Sequence, residues 1–378
     1  MPRSNQKPRG IVRRRVVRFV MVAVVALGCA SAVHAQEVSL GGGAKMKIGG
    51  RFHMQYNTTS VDSSDGDPIP ETEFLLRRAR LTFDVTFNDL ISARIEPDYS
   101  AISGVGLFSL RDAYMRLTFG SGLRATAGQF KRPFDVFELT SSTQILVAER
   151  GGQVRGVTAC GRIATVCSYS NLSAGLLYSD RDLGLMLDGA LVPGRLQYAV
   201  AATNGQTLRQ RETNSGKQLT GRLSVTPLKD LVVSGNVGWK DYTNPASESA
   251  ERALAWGADV EFGNYTKGPH VQAGIIGGGN WRALTADSTD IEDFLTGQMI
   301  GAWRFPVRHK WIDGVEPTFR ASWADPNGTE VGDRGWLVTP GAMLHLGSRN
   351  RLYVNVDIWV PQVGDTEYAL LTQLNFYF

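Results

Sequence analysis

The last eleven residues of this 378-residue chain alternate between apolar and polar side chains. Counting back from Phe378, every second residue is Phe376, Leu374, Thr372, Leu370 and Tyr368. A period of two predicts a β-strand with one apolar face. We expect this strand either at the edge of an ordinary sheet or as the closing strand of a barrel whose outer surface is apolar.

The first 35 residues have the features of a secretory signal peptide. Basic residues without any acid precede an apolar run from Phe19 to about Ala30, and Val33-His34-Ala35 is a small-residue cleavage pattern. The apolar run is too short to cross a bilayer as a helix. We therefore predict a signal peptide over residues 1–35 and a mature domain over residues 36–378.

Removal of the signal peptide changes the charge balance of the chain. The chain has 40 basic and 36 acidic residues, and seven of the basic ones lie in residues 1–35, which leaves 33 basic and 36 acidic residues. This balance gives no indication of nucleic-acid binding. Any preference for anions must come from the positions of individual charges.

The alternation seen at the end of the chain recurs along the mature part, in about sixteen segments. Short turns separate some of these segments and longer polar loops separate the others, and no stretch of 18 apolar residues is present after residue 35. A soluble sandwich of this pattern would expose many aromatic side chains to water. We therefore predict an all-β fold, a transmembrane antiparallel β-barrel of about 16 strands, which is large enough to enclose an aqueous channel.

One segment, residues 130–181, is far longer than any other predicted loop. Loops of this length inside a compact fold are usually functional. We predict that it folds inward to narrow the pore. Cys160 and Cys167 lie in it, and both a disulfide and two free thiols are compatible with an oxidising compartment.

Several motifs stand in the early strands and in the long segment: Gly49-Gly50-Arg51-Phe52, Phe74-Leu75-Leu76-Arg77-Arg78-Ala79-Arg80-Leu81, Asp112-Ala113-Tyr114, Gly128-Gln129-Phe130, Thr140-Ser141-Ser142 and Glu149-Arg150. Together they resemble the motifs of a known family, the phosphate-selective porins O and P. The resemblance implies a homotrimer of sixteen-stranded barrels in the outer membrane of a Gram-negative bacterium, in contact with lipid and lipopolysaccharide. It also implies that residues 130–181 are the third extracellular loop and form a constriction. The aromatic last strand predicts recognition of Phe378 by the barrel-assembly machinery.

The chain departs from the family in the inward loop. Phosphate-selective members resemble one another in having lysines just before and just after the Thr-Ser-Ser element, where this chain has Glu138 and Thr143. Lys131 and Arg132 lie earlier in the same segment. The resemblance therefore supports membership of the family more directly than it supports phosphate specificity.

Basic residues concentrate in the early strands and at the start of the long loop, and we predict that they line the pore and bind anions. The candidates are Arg51, Arg78, Arg80, Arg94, Arg116, Arg124, Lys131 and Arg132. The planar guanidinium fork gives an oxyanion two hydrogen bonds, and weak repeated sites let the ion leave. The alternative is that Arg78 and Arg80 pair with acids of neighbouring strands and stiffen the wall.

These features predict passive diffusion of small anions such as phosphate or polyphosphate, without a cofactor. The alternative is a general or organic-solute porin, although the inward-facing aromatic residues are scattered and form no continuous stacking surface. An enzyme is disfavoured because the sequence lacks Gly-x-Ser-x-Gly, His-Glu-x-x-His and P-loop motifs.

Overall fold

The computed structural model describes residues 36–378 apart from 62–68, 102–105, 155–159, 161–162, 165, 207–214, 286–289 and 348. The predicted signal peptide lies outside the described residues. The strands are β1 (Gln36–Ser39), β2 (Lys45–Val61), β3 (Ile69–Thr86), β4 (Ile91–Ala101), β5 (Gly106–Thr118), β6 (Arg124–Lys131), β7 (Arg181–Val192), β8 (Leu196–Thr203), β9 (Gln218–Leu228), β10 (Leu231–Thr243), β11 (Ala250–Gly263), β12 (Gly268–Asn280), β13 (Glu292–Pro306), β14 (Gly314–Asp325), β15 (Gly335–Leu346), β16 (Asn350–Pro361) and β17 (Glu367–Tyr377). The α-helices are α1 (Val136–Leu139) and α2 (Tyr169–Gly175).

Strands β2 to β17 form a closed antiparallel barrel. Each strand pairs with the next one along the chain, and β17 pairs with β2 through a register that sets Leu374 opposite Met54 and Phe376 opposite Phe52. The predicted sixteen-stranded antiparallel barrel is confirmed. Closure leaves no sheet edge with unpaired backbone groups.

The short strand β1 continues the seam between β17 and β2. β17 ends opposite Arg51, and β1 pairs with Lys45–Ile48, further along the same edge of β2. The two strands thus cover one edge of β2 in succession.

The two faces of the strands differ as the alternation requires. On β7, Leu183, Leu185 and Leu187 face outward and are 52%, 64% and 46% exposed, whereas Asp182 and Asp188 face inward and are buried. The same division holds around the barrel, so that the outer surface is apolar and the inner wall is rich in polar and charged groups. A barrel of this kind is suited to an apolar surrounding medium.

The connections at the two ends of the barrel differ in length. At one end, here called the turn end, short turns join the strands, and Gly194 and Asp230 adopt positive φ values of 72° and 60° in two of them. At the other end, the loop end, most connections are longer, as the sequence predicted. Residues 132–180, here called the long loop, start and finish at the loop end.

Two β-bulges interrupt the alternation in β3 and β5, and further register shifts lie near the turn end, between Ala190 and Val192 and between Leu231 and Val233. His53 pairs with Arg78 and Met54 with Leu76, which leaves Arg77 as an extra residue on β3. Glu96 pairs with Asp112 and Pro97 with Leu110, which leaves Arg111 as an extra residue on β5. Proline lacks a backbone N–H and is tolerated in a sheet at such irregular positions.

The bulge in β3 changes the predicted faces near it. Strict alternation places Leu75 on the same apolar face as Ala79, but Leu75 is buried with 4% exposure. That expectation was wrong because the extra residue Arg77 lies between Leu75 and Ala79. Two residues of a bulge oppose one residue of the partner strand, so the phase of the alternation shifts across it.

The long loop packs against the inner wall. Ala148 and Gln153 donate their backbone N–H groups to the side chains of Asn355 and Asp357 on β16, over 2.7 and 2.9 Å. Tyr353, also on β16, donates its hydroxyl hydrogen to a carbonyl of the loop over 2.9 Å. Backbone groups of the loop are thereby satisfied by polar side chains of the wall.

The long loop also brings apolar side chains into the barrel. Tyr178 stacks on Phe294 of β13 with ring centroids 5.8 Å apart, and Phe134 lies 6.1 Å from Tyr178. These rings belong to a buried apolar cluster that joins the loop to strands β10 to β17. A disulfide between Cys160 and Cys167 links two parts of the loop. Across the described stretches, neither helix is long or apolar enough to span a membrane.

We expect Leu185→Arg to destabilise the barrel in lipid, because it places a charge on the outer apolar face near mid-strand. The cost at mid-bilayer is about 2–4 kcal/mol. The measurement is the folded fraction after refolding into phospholipid vesicles across a urea series. Met186→Arg, one residue further on the inner face, is the matched control and should change the urea midpoint much less. Equal effects of the two variants would contradict the assignment of faces.

Candidate functional site

Charged side chains gather on the inner wall formed by β2 to β7. Arg51 contacts Glu96 over 2.5 Å, and Arg80 contacts Glu96 over 3.1 Å and Asp98 over 2.7 Å. These groups are nearly fully buried, so their charges interact strongly. Arg51 also donates to the Ser142 hydroxyl over 2.6 Å and so connects this wall to the long loop.

Arg181, the first residue of β7, connects these pairs to the two ends of the long loop. It contacts Asp112 over 2.5 Å and lies 3.9 Å from Glu96 and from Glu138. The resulting ion-pair network is continuous within 4 Å in the described part of the chain. Its six cations are Arg51, Arg80, Arg111, Lys131, Arg150 and Arg181, and its five carboxylates are Glu96, Asp98, Asp112, Glu138 and Asp180.

Glu149 of the long loop is held by two consecutive arginines of β3. Arg78 contacts its carboxylate over 2.7 and 2.9 Å, and Arg77 over 2.9 and 3.0 Å. Both guanidinium groups reach the loop because the bulge turns Arg77 to the same side as Arg78. Burial alone would raise the pKa of the Glu149 carboxyl, but the two guanidinium groups outweigh it and lower that pKa.

Arg320 of β14 holds the same stretch of the long loop through its backbone. Its guanidinium donates to the carbonyl oxygens of Glu149 and Arg150 over 2.7 and 2.5 Å, and to Asp357 over 2.8 Å. The loop at Glu149 is thus fixed from two strands, β3 and β14. We call the contacts of Arg77, Arg78 and Arg320 with Glu149 the Glu149 clamp.

Seven of the eight predicted anion-binding residues lie within ion-pair distance of a carboxylate. The pairs are Arg51–Glu96, Arg78–Glu149, Arg80–Asp98, Arg94–Asp84, Arg124–Asp188, Lys131–Glu138 and Arg132–Asp182. Arg132 is also fully buried and donates to carbonyl groups of Ser179 and Gln206, so it supports the loop from within.

Arg116 is the eighth predicted residue and has different surroundings. Its Nε donates to the Thr126 hydroxyl over 3.0 Å, and its guanidinium carbon lies 5.1 Å from the centroid of the Tyr114 ring. Among the residues that the structure describes, no carboxylate forms an ion pair with it. Its positive charge is therefore the least compensated of the eight.

Several inward-facing cations were not identified from the sequence. Arg77 and Arg111 are the extra residues of the two bulges, and regular alternation assigns them to the outer face. Arg150 lies in the long loop, and Arg181 and Arg320 each pair with a carboxylate two strands away, Asp112 and Asp357, and also contact the long loop. Arg77 and Arg150 stand in motifs of the family resemblance, but no role was assigned to them.

The interior of the long loop contains a buried acid, Asp135. Its Oδ1 caps α1 by accepting the Glu138 backbone N–H over 2.7 Å, and its Oδ2 accepts the Ser173 hydroxyl hydrogen over 2.9 Å. Burial raises the pKa of the Asp135 carboxyl to about 7. No group of His, Cys, Asp and Glu in the described ranges could hold a metal ion.

Comparison with known proteins gives one family and many structural neighbours. A model of the family "Phosphate-selective porin O and P" matches residues 46–276. The search of curated proteins found no match. An anion-selective porin from Comamonas acidovorans is similar in structure, with a TM-score of 0.63, 12% identity, and coverage of 89% of this chain and 100% of that chain.

Two further neighbours have the same architecture. The outer membrane channel DcaP of Acinetobacter baumannii gives a TM-score of 0.62 at 14% identity, over 90% of this chain and 99% of that chain. A trimer form of Vibrio cholerae OmpT gives 0.51 at 12% identity, over 89% and 99%. At these identities the neighbours support the fold alone.

We expect Glu149→Gln to loosen the long loop, because it leaves Arg77 and the buried Arg78 without their carboxylate. Breaking a buried pair costs about 3–5 kcal/mol. Hydrogen exchange read by mass spectrometry should show protection of the Ala148 and Gln153 amides falling by about a hundredfold or more. Glu73→Gln is the charge-matched control, because Glu73 is exposed and lies on β3, the strand that carries Arg77 and Arg78. Unchanged protection in the Glu149 variant would contradict the clamp.

Asp135→Asn should stabilise the long loop in a pH-dependent way. The pKa of about 7 in the folded chain lies above the ordinary aspartate value of 3.8, which applies to the unfolded chain. The advantage of the protonated acid is therefore complete below pH 3.8 and is lost as the pH rises to about 7. Asparagine keeps the cap but does not ionise.

The measurement is the ratio of hydrogen-exchange protection in α1 and α2 between the Asp135→Asn variant and the wild type, at equal pH. This ratio should be near one at pH 4, rise towards pH 7 and then level off. A ratio that falls as the pH rises would show that the buried carboxylate is stabilised as an anion.

Proposed function

The chain belongs to the phosphate-selective porin O and P family, and on this basis we propose that it is an outer-membrane channel through which small anions diffuse passively. The observation that carries the anion preference is the ion-pair network on the inner wall. It holds six cations and five carboxylates among the described residues. The family match and the anion-selective neighbour also support a preference for anions.

The cellular setting is part of the proposal. The apolar outer surface suits contact with outer-membrane lipid and lipopolysaccharide in a Gram-negative bacterium, and the structural neighbours include outer-membrane channels. A homotrimer is proposed because the family resemblance implies one and a neighbour has a trimer form. Recognition of Phe378 by the barrel-assembly machinery belongs to the same proposal. No chemical step and no cofactor is involved.

Phosphate or polyphosphate is the substrate class that we propose within the anions. An oxyanion that enters the lumen meets guanidinium groups that can donate two hydrogen bonds at once. Arg116 is the first candidate for such contacts, because no carboxylate pairs with it in the described part of the chain. The long loop, whose apolar and polar groups pack across the barrel interior, is proposed as the constriction.

A second candidate is a general porin without phosphate selectivity. It is favoured by one observation: seven of the eight predicted anion-binding residues have a carboxylate partner. An arginine that is already paired offers a passing anion little attraction, because the partner carboxylate repels it. The two candidates differ in ion selectivity and in the response to phosphate.

The test is the reversal potential of the purified protein in a planar lipid bilayer under a KCl gradient, followed by addition of inorganic phosphate. We expect a potential of the sign of chloride permeation, and a chloride current that phosphate lowers. Arg116→Gln should reduce the ratio of chloride to potassium permeability by about twofold, since it removes a weakly compensated charge from the lumen.

Arg252→Gln is the control for that variant, because Arg252 is 66% exposed and lies over Trp239 on the outer face. It should leave the permeability ratio unchanged. Non-selective or cation-selective current that is indifferent to phosphate would favour the general porin. Absence of any conductance from correctly folded protein would contradict both candidates.

A further inference from the structure

Glu138 lies among three cations of the inner wall and the long loop. Its carboxylate is 3.6 Å from the Lys131 ammonium, 3.6 Å from the Arg150 guanidinium and 3.9 Å from the Arg181 guanidinium. No hydrogen bond joins the carboxylate to any of the three in the described structure. One charge thus faces three opposite charges without the short contacts of a paired group.

The three cations are positioned by other groups. Lys131 donates to the carbonyls of Glu138 and Thr140, and Arg150 donates to the carbonyls of Phe137 and Thr140 over 2.8 and 2.5 Å. Carbonyl groups orient a cation without neutralising it. Among the described residues, Glu138 is the one carboxylate that lies within 4 Å of Lys131 or of Arg150.

Arg181 differs, because Asp112 contacts it directly over 2.5 Å. Asp180 and Glu96 also lie 3.7 and 3.9 Å from Arg181. The positive excess beside Glu138 therefore comes from Lys131 and Arg150, which share that one carboxylate. The side chains of Lys131, Arg150 and Glu138 are 16%, 17% and 13% exposed, so water and small solutes can reach the group. We call Lys131, Arg150 and Arg181 the cation triad.

Glu138 itself is held firmly in place. It lies in the single turn of α1, whose N-cap Asp135 accepts the Glu138 backbone N–H over 2.7 Å. The backbone of Glu138 is therefore fixed, and its carboxylate is tethered next to the triad. Burial alone would raise the pKa of the Glu138 carboxyl, but Arg150, Lys131 and Arg181 outweigh it and lower that pKa to about 2. Glu138 is accordingly ionised at every pH at which the channel would operate.

We propose that the cation triad is a binding site for small oxyanions in the lumen, and that the Glu138 carboxylate is its tethered occupant and limits the anion selectivity of the channel. A tethered group acts at a high effective concentration, so a free monovalent anion does not displace it. A multiply charged oxyanion with more oxygens than a carboxylate competes better, since it can accept short hydrogen bonds from all three cations.

This inference rests on the proposed channel function and predicts the outcome of one substitution. Glu138→Gln keeps the shape of the side chain and removes the occupant's charge. In a planar bilayer, we expect a higher ratio of chloride to potassium permeability than in the wild type. We also expect the half-blocking concentration of inorganic phosphate to fall by about tenfold, the scale of one charge-assisted hydrogen bond gained.

Glu330→Gln is the matched control, because it removes the same charge from an exposed position at the loop end. It should change the permeability ratio little and the phosphate block not at all. Adding Lys131→Met to Glu138→Gln should reverse the gain in phosphate block, since one member of the triad is then missing. Because this double variant has the net charge of the wild type, the comparison of Glu138→Gln with Glu330→Gln is the one that separates a local site from a general change in lumen charge.

Equal shifts in Glu138→Gln and Glu330→Gln would overturn the inference, and so would a gain that survives Lys131→Met. If Glu138→Gln does not fold, as judged by its circular dichroism spectrum, the single substitution Lys131→Met in the wild-type chain becomes the test of the inference. It should lower the permeability of chloride relative to potassium, and no change would overturn the inference. Failure of the wild type to conduct would count against the channel function instead, so the two failures are distinguishable.

Discussion

The hydrogen-bond ladder between β17 and β2 is the constraint on which the rest of the structure depends. A backbone N–H or C=O left unpaired in an apolar medium costs several kcal/mol, so an open sheet of this length is not viable there. Closure fixes the circumference of the barrel and therefore the space inside it. The long loop then has a defined inner wall to pack against, with polar groups on β16 and apolar groups from β10 to β17.

The same charged residues stabilise the structure and limit the attraction of the lumen for solute anions. Buried ions need partners, and Arg78, Arg80 and Arg132 have them. Each carboxylate that stabilises such a cation also cancels the field that a solute anion would feel. The inner wall is therefore better described as a compensated network with a small positive excess than as a continuous row of free arginines. Selectivity in such a lumen depends on the few charges that compensation leaves over.

The sequence was sufficient to predict the barrel because the relevant signal is local. A period of two, short turns and longer loops are readable within a dozen residues, and they gave the strand number and the two faces. The alternative that Arg80 pairs with Glu96 and Asp98 was also within reach, since β3 and β4 are consecutive. The identity of the family followed from motifs in the first half of the chain.

The contacts of the long loop could not be predicted in the same way. Arg78 meets Glu149 across 71 residues and Arg51 meets Ser142 across 91 residues, and several acids were equally available to each arginine from sequence alone. The bulges were also invisible, because alternation is a rule of regular ladders and an extra residue has no distinct composition. Arg77 and Arg111 were therefore placed on the wrong face by the pattern that succeeded elsewhere.

Because of the two bulges, the number of charges in the lumen can change without any change in the side chains of the outer surface. Leu76 and Ala79 flank the Arg77–Arg78 pair, and Leu110 and Ala113 flank Arg111 and Asp112. Loss of Arg77 or of Arg111 would restore a regular ladder in which every neighbouring side chain keeps its face. An in-frame change of one codon at either position thus adds or removes a lumen cation while the lipid-facing sequence stays the same. Evolution of selectivity in this barrel can proceed by single-residue insertion and deletion as well as by substitution.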